Sequence, residues 1–266
     1  SMIGRKSRAC WLSPLVGAAL LAACGTDSTT GPGYSAPLCW PDFVKLNGIT
    51  YLGVVRAAGR DLTAADLGEQ IGAVTFMVQG NVTDPAYEAE DGDAGLLEPG
   101  TPLHQVKGYD PTFRIAAKAG NGIYLYEAAY NPGAVRGSDI FDLEGAVDSI
   151  GVYAVGVPEY RLAVIRDPAL VESMVQMVSD ARLLNADEVQ VADDVYYLVA
   201  FHLKDGTSMV RQYLFFAGHL VLPAWSQAGH WAEVPTAFSD AIEAAVRDTE
   251  SDPTLRLRQT GRIGCG

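Results

Sequence analysis

The run Val195-Tyr196-Tyr197-Leu198-Val199-Ala200-Phe201-His202-Leu203-Lys204, the pair Asp205-Gly206, and then Thr207 to Phe216 constrain this chain most. Two long stretches rich in β-branched and aromatic residues meet at an Asp-Gly step, whose glycine can reach positive φ without a Cβ penalty. Such a segment folds back on itself as an antiparallel hairpin. A two-residue turn at Asp205-Gly206 would pair Leu203 with Ser208, Phe201 with Val210, Val199 with Gln212 and Tyr197 with Leu214 on a core-facing side. The opposite side would then carry His202 with Met209 and Ala200 with Arg211, placing Arg211 diagonal to His202 as a small anion site or a solvent-facing sheet end.

The same logic recurs upstream. Phe43 to Leu46 and Ile49 to Tyr51 flank Asn47-Gly48, the strongest short hairpin signal. Thr112 to Lys118 and Gly122 to Tyr126 flank a Gly-Asn-Gly turn, with a strand at Leu103 to Lys107 before them. Gly72 to Val78, Val147 to Val155, Tyr160 to Ile165 and His219 to Leu222 read as further strands, and Leu62 to Leu67 suits one helical turn.

Helical signals gather late in the chain. Asp167-Pro168 is a capping side chain followed by a residue preset for the first helical position. Leu170, Val171, Met174, Met177, Val178 and Ala181 follow at helical spacing, predicting a helix that ends near Asn185. Pro235-Thr236 opens a last helix with Phe238, Ala241, Ile242, Ala245 and Val246 inward. Strands, helix, strands, helix, without βαβ alternation, predict an α+β fold. It consists of antiparallel hairpins, with a β-rich half at 38–145 and two amphipathic helices in an α+β half at 146–266, and the two halves could form one domain.

The N-terminus has another character. Its first 23 residues carry Arg5, Lys6 and Arg8, no acid, and the apolar stretch Trp11 to Ala23, too short to span a bilayer and of the form of an export signal. Leu21-Ala22-Ala23-Cys24 resembles a bacterial lipobox, which implies acylation of Cys24 with several acyl chains such as palmitate, and a signal peptide of residues 1–23. Residues 24–37, rich in Gly, Ser, Thr and Pro, read as a lipidated tether. The alternative is an ordinary signal peptide that leaves Cys24 unmodified. With Cys10 in the signal and Cys24 acylated, Cys39 and Cys265 remain, a candidate disulfide tying the ends of the folded part in an oxidising compartment. Two separate thiols are the other reading.

The 266 residues carry a net charge of -13, and -16 from Cys24 onward. That excludes nucleic acid as a natural partner, because phosphate binding draws on clustered Lys and Arg. The membrane would be held through lipid on Cys24, not by charge. The expected location is the cell envelope: the outer membrane of a diderm host, or otherwise the outer face of the cytoplasmic membrane.

No Gly-x-Ser-x-Gly, His-Glu-x-x-His, Walker or Gly-x-Gly-x-x-Gly motif occurs. His104, His202, His219 and His230 are spaced singly, so neither a metal nor a cofactor is called for, and no catalytic residue is assigned. The acidic stretch around Glu90-Asp91-Gly92-Asp93 lacks a closing glutamate at calcium-loop spacing and reads as a solvated loop. Tyr109, Asp110 and Arg114 lie within six residues around an Asp-Pro turn. They are either a polar-ligand site or a turn in which Asp110 accepts backbone hydrogen bonds and Arg114 pairs locally. Trp225, His230 and Trp231 read as a loop whose tryptophans either pack beneath the last helix or mark a carbohydrate or protein contact.

Asp93 to Leu103 with Lys107 to Asp110, and Asp205 to Ser208 with Arg211 to Tyr213 and Val234 to Phe238, resemble a pattern of secreted bacterial lipoproteins. That resemblance brings no activity and no catalytic residues. The sequence therefore points to an envelope lipoprotein that binds a ligand or a protein. The alternatives are a hydrolase drawing on Asp110, His104 or His202, and a structural or regulatory scaffold.

Overall fold

In the computed structural model, residues 39–54, 59–154, 160–185, 188–189, 196–215, 217–221 and 229–251 are described. The signal, Cys24, the tether, Trp225 and Cys265 lie outside these residues, so the Cys39–Cys265 pairing remains an expectation.

The first sheet is built from β1 (Phe43–Leu46), β2 (Ile49–Gly53), β3 (Leu67–Ala73), β4 (Phe76–Met77), β5 (Asp93–Ala94), β6 (Pro102–Val106), β7 (Arg114–Ala119) and β8 (Gly122–Tyr130). Their order is β3-β6-β7-β8-β2-β1-β5-β4. The second contains β9 (Val147–Ala154), β10 (Tyr160–Ile165), β11 (Arg182–Asn185), β12 (Tyr196–Leu203), β13 (Ser208–Leu214), β14 (His219–Val221) and β15 (His230–Glu233). Their order is β10-β9-β12-β13-β14-β15-β11. Among the described residues, every strand pairing but the parallel pair β4–β5 is antiparallel, and helices α1 (Pro168–Ser179) and α2 (Thr236–Ser251) fall in the second half. The fold is α+β, as the turn and helix signals predict.

Local chemistry explains the elements that match. Asn47 and Gly48 both take positive φ, 53° and 77°, as a two-residue turn of the favoured hand requires. The Asp167 side chain accepts the Leu170 N–H at 2.9 Å, and Pro168 opens α1. Val171, Met174, Val175 and Val178 are buried, whereas Leu170 is exposed. In α2, Phe238 and Ile242 are fully buried, and Ala241, Ala245 and Val246 pack against the same core.

Several expectations are corrected. Helix α1 stops at Ser179, and Arg182–Asn185 is an edge strand whose adjacent leucines diverge. Leu183 joins the main core, while Leu184 joins a smaller cluster with Leu214 and Trp231. A helical period cannot serve two opposite faces with consecutive residues, whereas a strand does so by geometry. His230 and Trp231 lie on strand β15, not in a loop, and Trp231 is buried. Leu62 to Leu67 contains only the 3-10 turn Ala64–Asp66, and Gly72 to Val78 is divided between β3 and β4.

The β12–β13 register differs by one residue. Leu203 N–H donates to Thr207 C=O at 2.9 Å, so the loop is Lys204-Asp205-Gly206, with Gly206 at φ 87°. That is a three-residue loop closing on a left-handed glycine. His202 consequently pairs with Ser208, Phe201 with Met209, and Val199 with Arg211. A one-residue slip exchanges the faces of a whole strand. Arg211 therefore shares a face with Val199, Phe201 and Tyr213, and it enters the core instead of lying diagonal to His202.

One apolar cluster contains Ile115 and Tyr126 of the first sheet, Ile150, Val199 and Phe201 of the second, and Val178 and Phe238 of the helices.

Candidate functional site

Two regions gather polar chemistry. The first is inside. Glu127, opposite Arg114 in the β7–β8 ladder, accepts from Arg114 Nη2 at 2.5 Å and from Arg211 Nη1 at 2.7 Å. Arg114 is 0% exposed, Arg211 4% and Glu127 4%. Arg114 Nη1 also donates to the Thr207 hydroxyl at 3.0 Å, and its guanidinium lies over the Tyr109 and Phe113 rings at 4.6 and 4.4 Å. Burial pushes the Tyr109 phenol up to about 12, with Asp205 adding to the rise and Arg114 opposing it. Burial also raises Asp205, but hydrogen bonds from Thr207 and Tyr109 and the charge of Arg114 outweigh it, leaving the carboxyl below its ordinary range.

This network spans both sheets and consumes three of the predicted ligand-binding residues: Tyr109, Arg114 and Arg211. Asp110 closes the Asp-Pro turn by accepting from Thr112 N–H and hydroxyl, both at 2.8 Å. Its own N–H donates to Asp142 at 2.8 Å. Arg114 does not pair within the turn; the ladder carries its partner Glu127 to it. His202 lies on the other face of β12, with Nδ1 at 2.9 Å from the Ser208 hydroxyl and Nε2 at 3.5 Å from the Tyr153 hydroxyl. His104 on β6 reaches the Gly68 carbonyl at 3.3 Å. Among the described residues no hydrogen bond joins Asp110, His104 and His202 to one another. Asp93 of the acidic stretch is buried, accepting from the Tyr87 hydroxyl and Glu90 N–H at 2.7 Å. No metal-holding cluster occurs among the described residues.

The second region is a cavity of about 750 Å³ at the turn end of the β7–β8 hairpin, within the size range of small-molecule sites. Strand β2 ends at Gly53, opposite Tyr126, so β8 runs on past it towards Gly122. The hairpin tip, with Gly120 at φ 55° and Asn121, forms one wall. Segment 60–64 forms the facing wall and is pinned to the second sheet. Arg60 N–H donates to Gly206 C=O at 2.9 Å and Arg60 Nε to Asp205 C=O at 2.6 Å, while its outer nitrogens hold Asp66 at 2.8 Å. That pairing keeps the Asp66 carboxyl well below the carboxylate range. Thr207 and Ser208 close the cavity from the second sheet.

Asp42 lines this cavity. Its Oδ1 accepts the Tyr126 hydroxyl at 2.7 Å, and burial raises the carboxyl above its ordinary value, partly offset by that hydrogen bond. Gly53 makes room for it: a Cβ there would stand 2.4 Å from Asp42 Oδ2. Tyr124, 51% exposed, presents its ring on the rim, and Lys118 and Asn121 are exposed beside it.

Sequence reading missed this site. Asn121 registers only as a turn residue, and Asp42 belongs to no motif. A second cavity, of about 650 Å³, lies between α1 and the start of α2, lined by Gln176, Asp180 and Glu233 among others. Comparison of the chain with protein-family models, curated proteins and solved structures finds no match.

Proposed function

We propose that this chain is an exported envelope lipoprotein, anchored by acylation of Cys24, whose α+β domain binds a small ligand in the cavity at the β7–β8 tip. The observation that carries the binding reading is that cavity: one volume gathers a carboxylate, an ammonium, an amide and an exposed phenol. A few convergent polar groups in a concavity of this size are what ligand recognition uses. The anchor rests on the export-type N-terminus ending at Cys24, and the acidity of the following chain makes lipid, not charge, its hold on an anionic surface. Among the described residues no helix is long and apolar enough to cross a membrane.

Binding is tested by thermal shift of the full chain against a small-molecule library, with Ala64→Trp placed to fill the cavity. A true ligand raises the Tm of the parent, since binding the native state alone stabilises it, and leaves the filled variant unmoved. The anchor is tested in cells with an alkyne-bearing palmitate analogue. Label should appear on the parent and vanish in Cys24→Ser, with the parent staying membrane-bound in high salt.

One observation favours a second reading. Ser208 lines the same cavity and its hydroxyl is hydrogen-bonded to His202, the pair a hydrolase needs for an activated nucleophile. Covalent labelling of Ser208 by a fluorophosphonate, abolished by His202→Gln, would establish that activity in place of simple binding.

A further inference from the structure

Resting on the small-ligand reading, we infer that the cavity at the β7–β8 tip recognises a neutral saccharide ring, held by Asp42, Asn121 and Lys118 with Tyr124 as its stacking face.

Asp42 offers acceptors only. One of its oxygens is occupied by Tyr126, and no hydrogen bond is made by Oδ2 among the described residues. Lys118 offers donors only, Asn121 offers both, and all three line one volume. Arg60 contributes little to binding, because its guanidinium is already committed to Asp66 and to the Asp205 carbonyl.

The charged group of an anionic ligand, such as a carboxylate, has acceptors only. Among the described residues of the lining, an anion would face Asp42 and Asp61 with Lys118 as the uncommitted cation in its favour. A polyamine has donors only and would be set against Lys118. Either leaves a group of the lining unmatched, and an unmatched polar group is costly once water is displaced. A sugar hydroxyl both donates and accepts, so a polyol satisfies the carboxylate, the amide and the ammonium together. A pyranose also has an apolar C–H face. The half-exposed Tyr124 ring gives that face a flat partner. The Gly122 backbone beneath that ring supports it, since a Cβ there would approach its atoms to 2.9 Å.

The test is a titration of the full chain, followed by amide NMR at Asn121 and Tyr124 and by calorimetry. The probes are neutral trisaccharides built from glucose, mannose, galactose and N-acetylglucosamine, with spermidine and citrate as cationic and anionic comparators. At least one trisaccharide should saturate these signals. Tyr124→Ala and Asp42→Asn should each weaken it by at least about tenfold, as expected for losing a stacking face or a charged hydrogen-bond partner. Tyr124 is a surface ring, so its variant reports on binding independently of any change in stability that Asp42→Asn brings. Saturation by spermidine or citrate alone overturns the saccharide assignment and leaves the small-ligand reading standing. Saccharide binding that neither variant weakens places the sugar elsewhere and overturns the assignment. Saturation by no probe of any class overturns both.

Discussion

Glu127 holds two guanidinium groups in a space with almost no water contact, and its removal should be among the most damaging single changes in the molecule. A carboxylate bound by Arg114 at 2.5 Å and Arg211 at 2.7 Å repays part of the desolvation of all three charges. Glu127→Gln would leave two buried cations unneutralised. We expect a loss of roughly 3–5 kcal/mol in urea unfolding, the range for breaking a buried pair from one side. Replacing Arg114, Glu127 and Arg211 together by apolar residues of similar volume should cost far less, because the desolvation disappears with the charges.

Asp42 makes a prediction of opposite sign. Its folded carboxyl is raised by burial, so the native state holds a proton that the unfolded chain releases first. Stability therefore falls as pH rises from the unfolded value through the folded one. Asp42→Asn should raise stability at neutral pH, and the gain should vanish below the unfolded carboxyl value. Parallel urea titrations across the acid range check this. Asp66, Asp139 and Asp205, whose carboxyls are lowered, contribute stability that is instead lost on acidification.

At the scale of elements, turns and caps were readable because each is decided by a few neighbouring residues. Asn47-Gly48 and Asp167-Pro168 state their geometry within a residue or two, and the structure follows them. The Asp205-Gly206 turn was readable as a turn but not as a register. Two- and three-residue loops share the same dipeptide, and the choice between them decides the face of every following side chain. Glycines separate the local from the tertiary in the same way. A Cβ on Gly48 meets nothing within 4 Å, so Gly48→Ala should cost only the strain of its positive φ, roughly 1–2 kcal/mol. A Cβ on Gly137 would lie 1.8 Å from the Val178 carbonyl, at the end of α1. Gly137→Ala must move backbone and should lose clearly more, as thermal melts of the two variants would show.

For the whole molecule, the core and the Arg114–Glu127–Arg211 network both cross between the sheets. Separating the sheets would expose that core and strand the charges. We expect one cooperative unfolding transition, with near- and far-ultraviolet circular dichroism coincident. Two separated transitions would show that the sheets are independent units. The cavity also depends on this joint, since segment 60–64 is held in place by Arg60 on the Asp205-Gly206 turn of the other sheet.

By itself the sequence determined the α+β class, the antiparallel hairpins, the two helix starts and the acidic charge, because each depends on residues adjacent in the chain. Only the tertiary structure decided that Arg114 and Arg211 are buried partners of Glu127 and not ligand-facing groups. It alone brought Asp42 and segment 60–64 against Lys118, Asn121 and Tyr124 of the β7–β8 hairpin to form one cavity. Those arrangements depend on a one-residue register and on contacts across tens of residues, where the free energy comes from burial and pairing and no neighbour in the sequence reports the outcome.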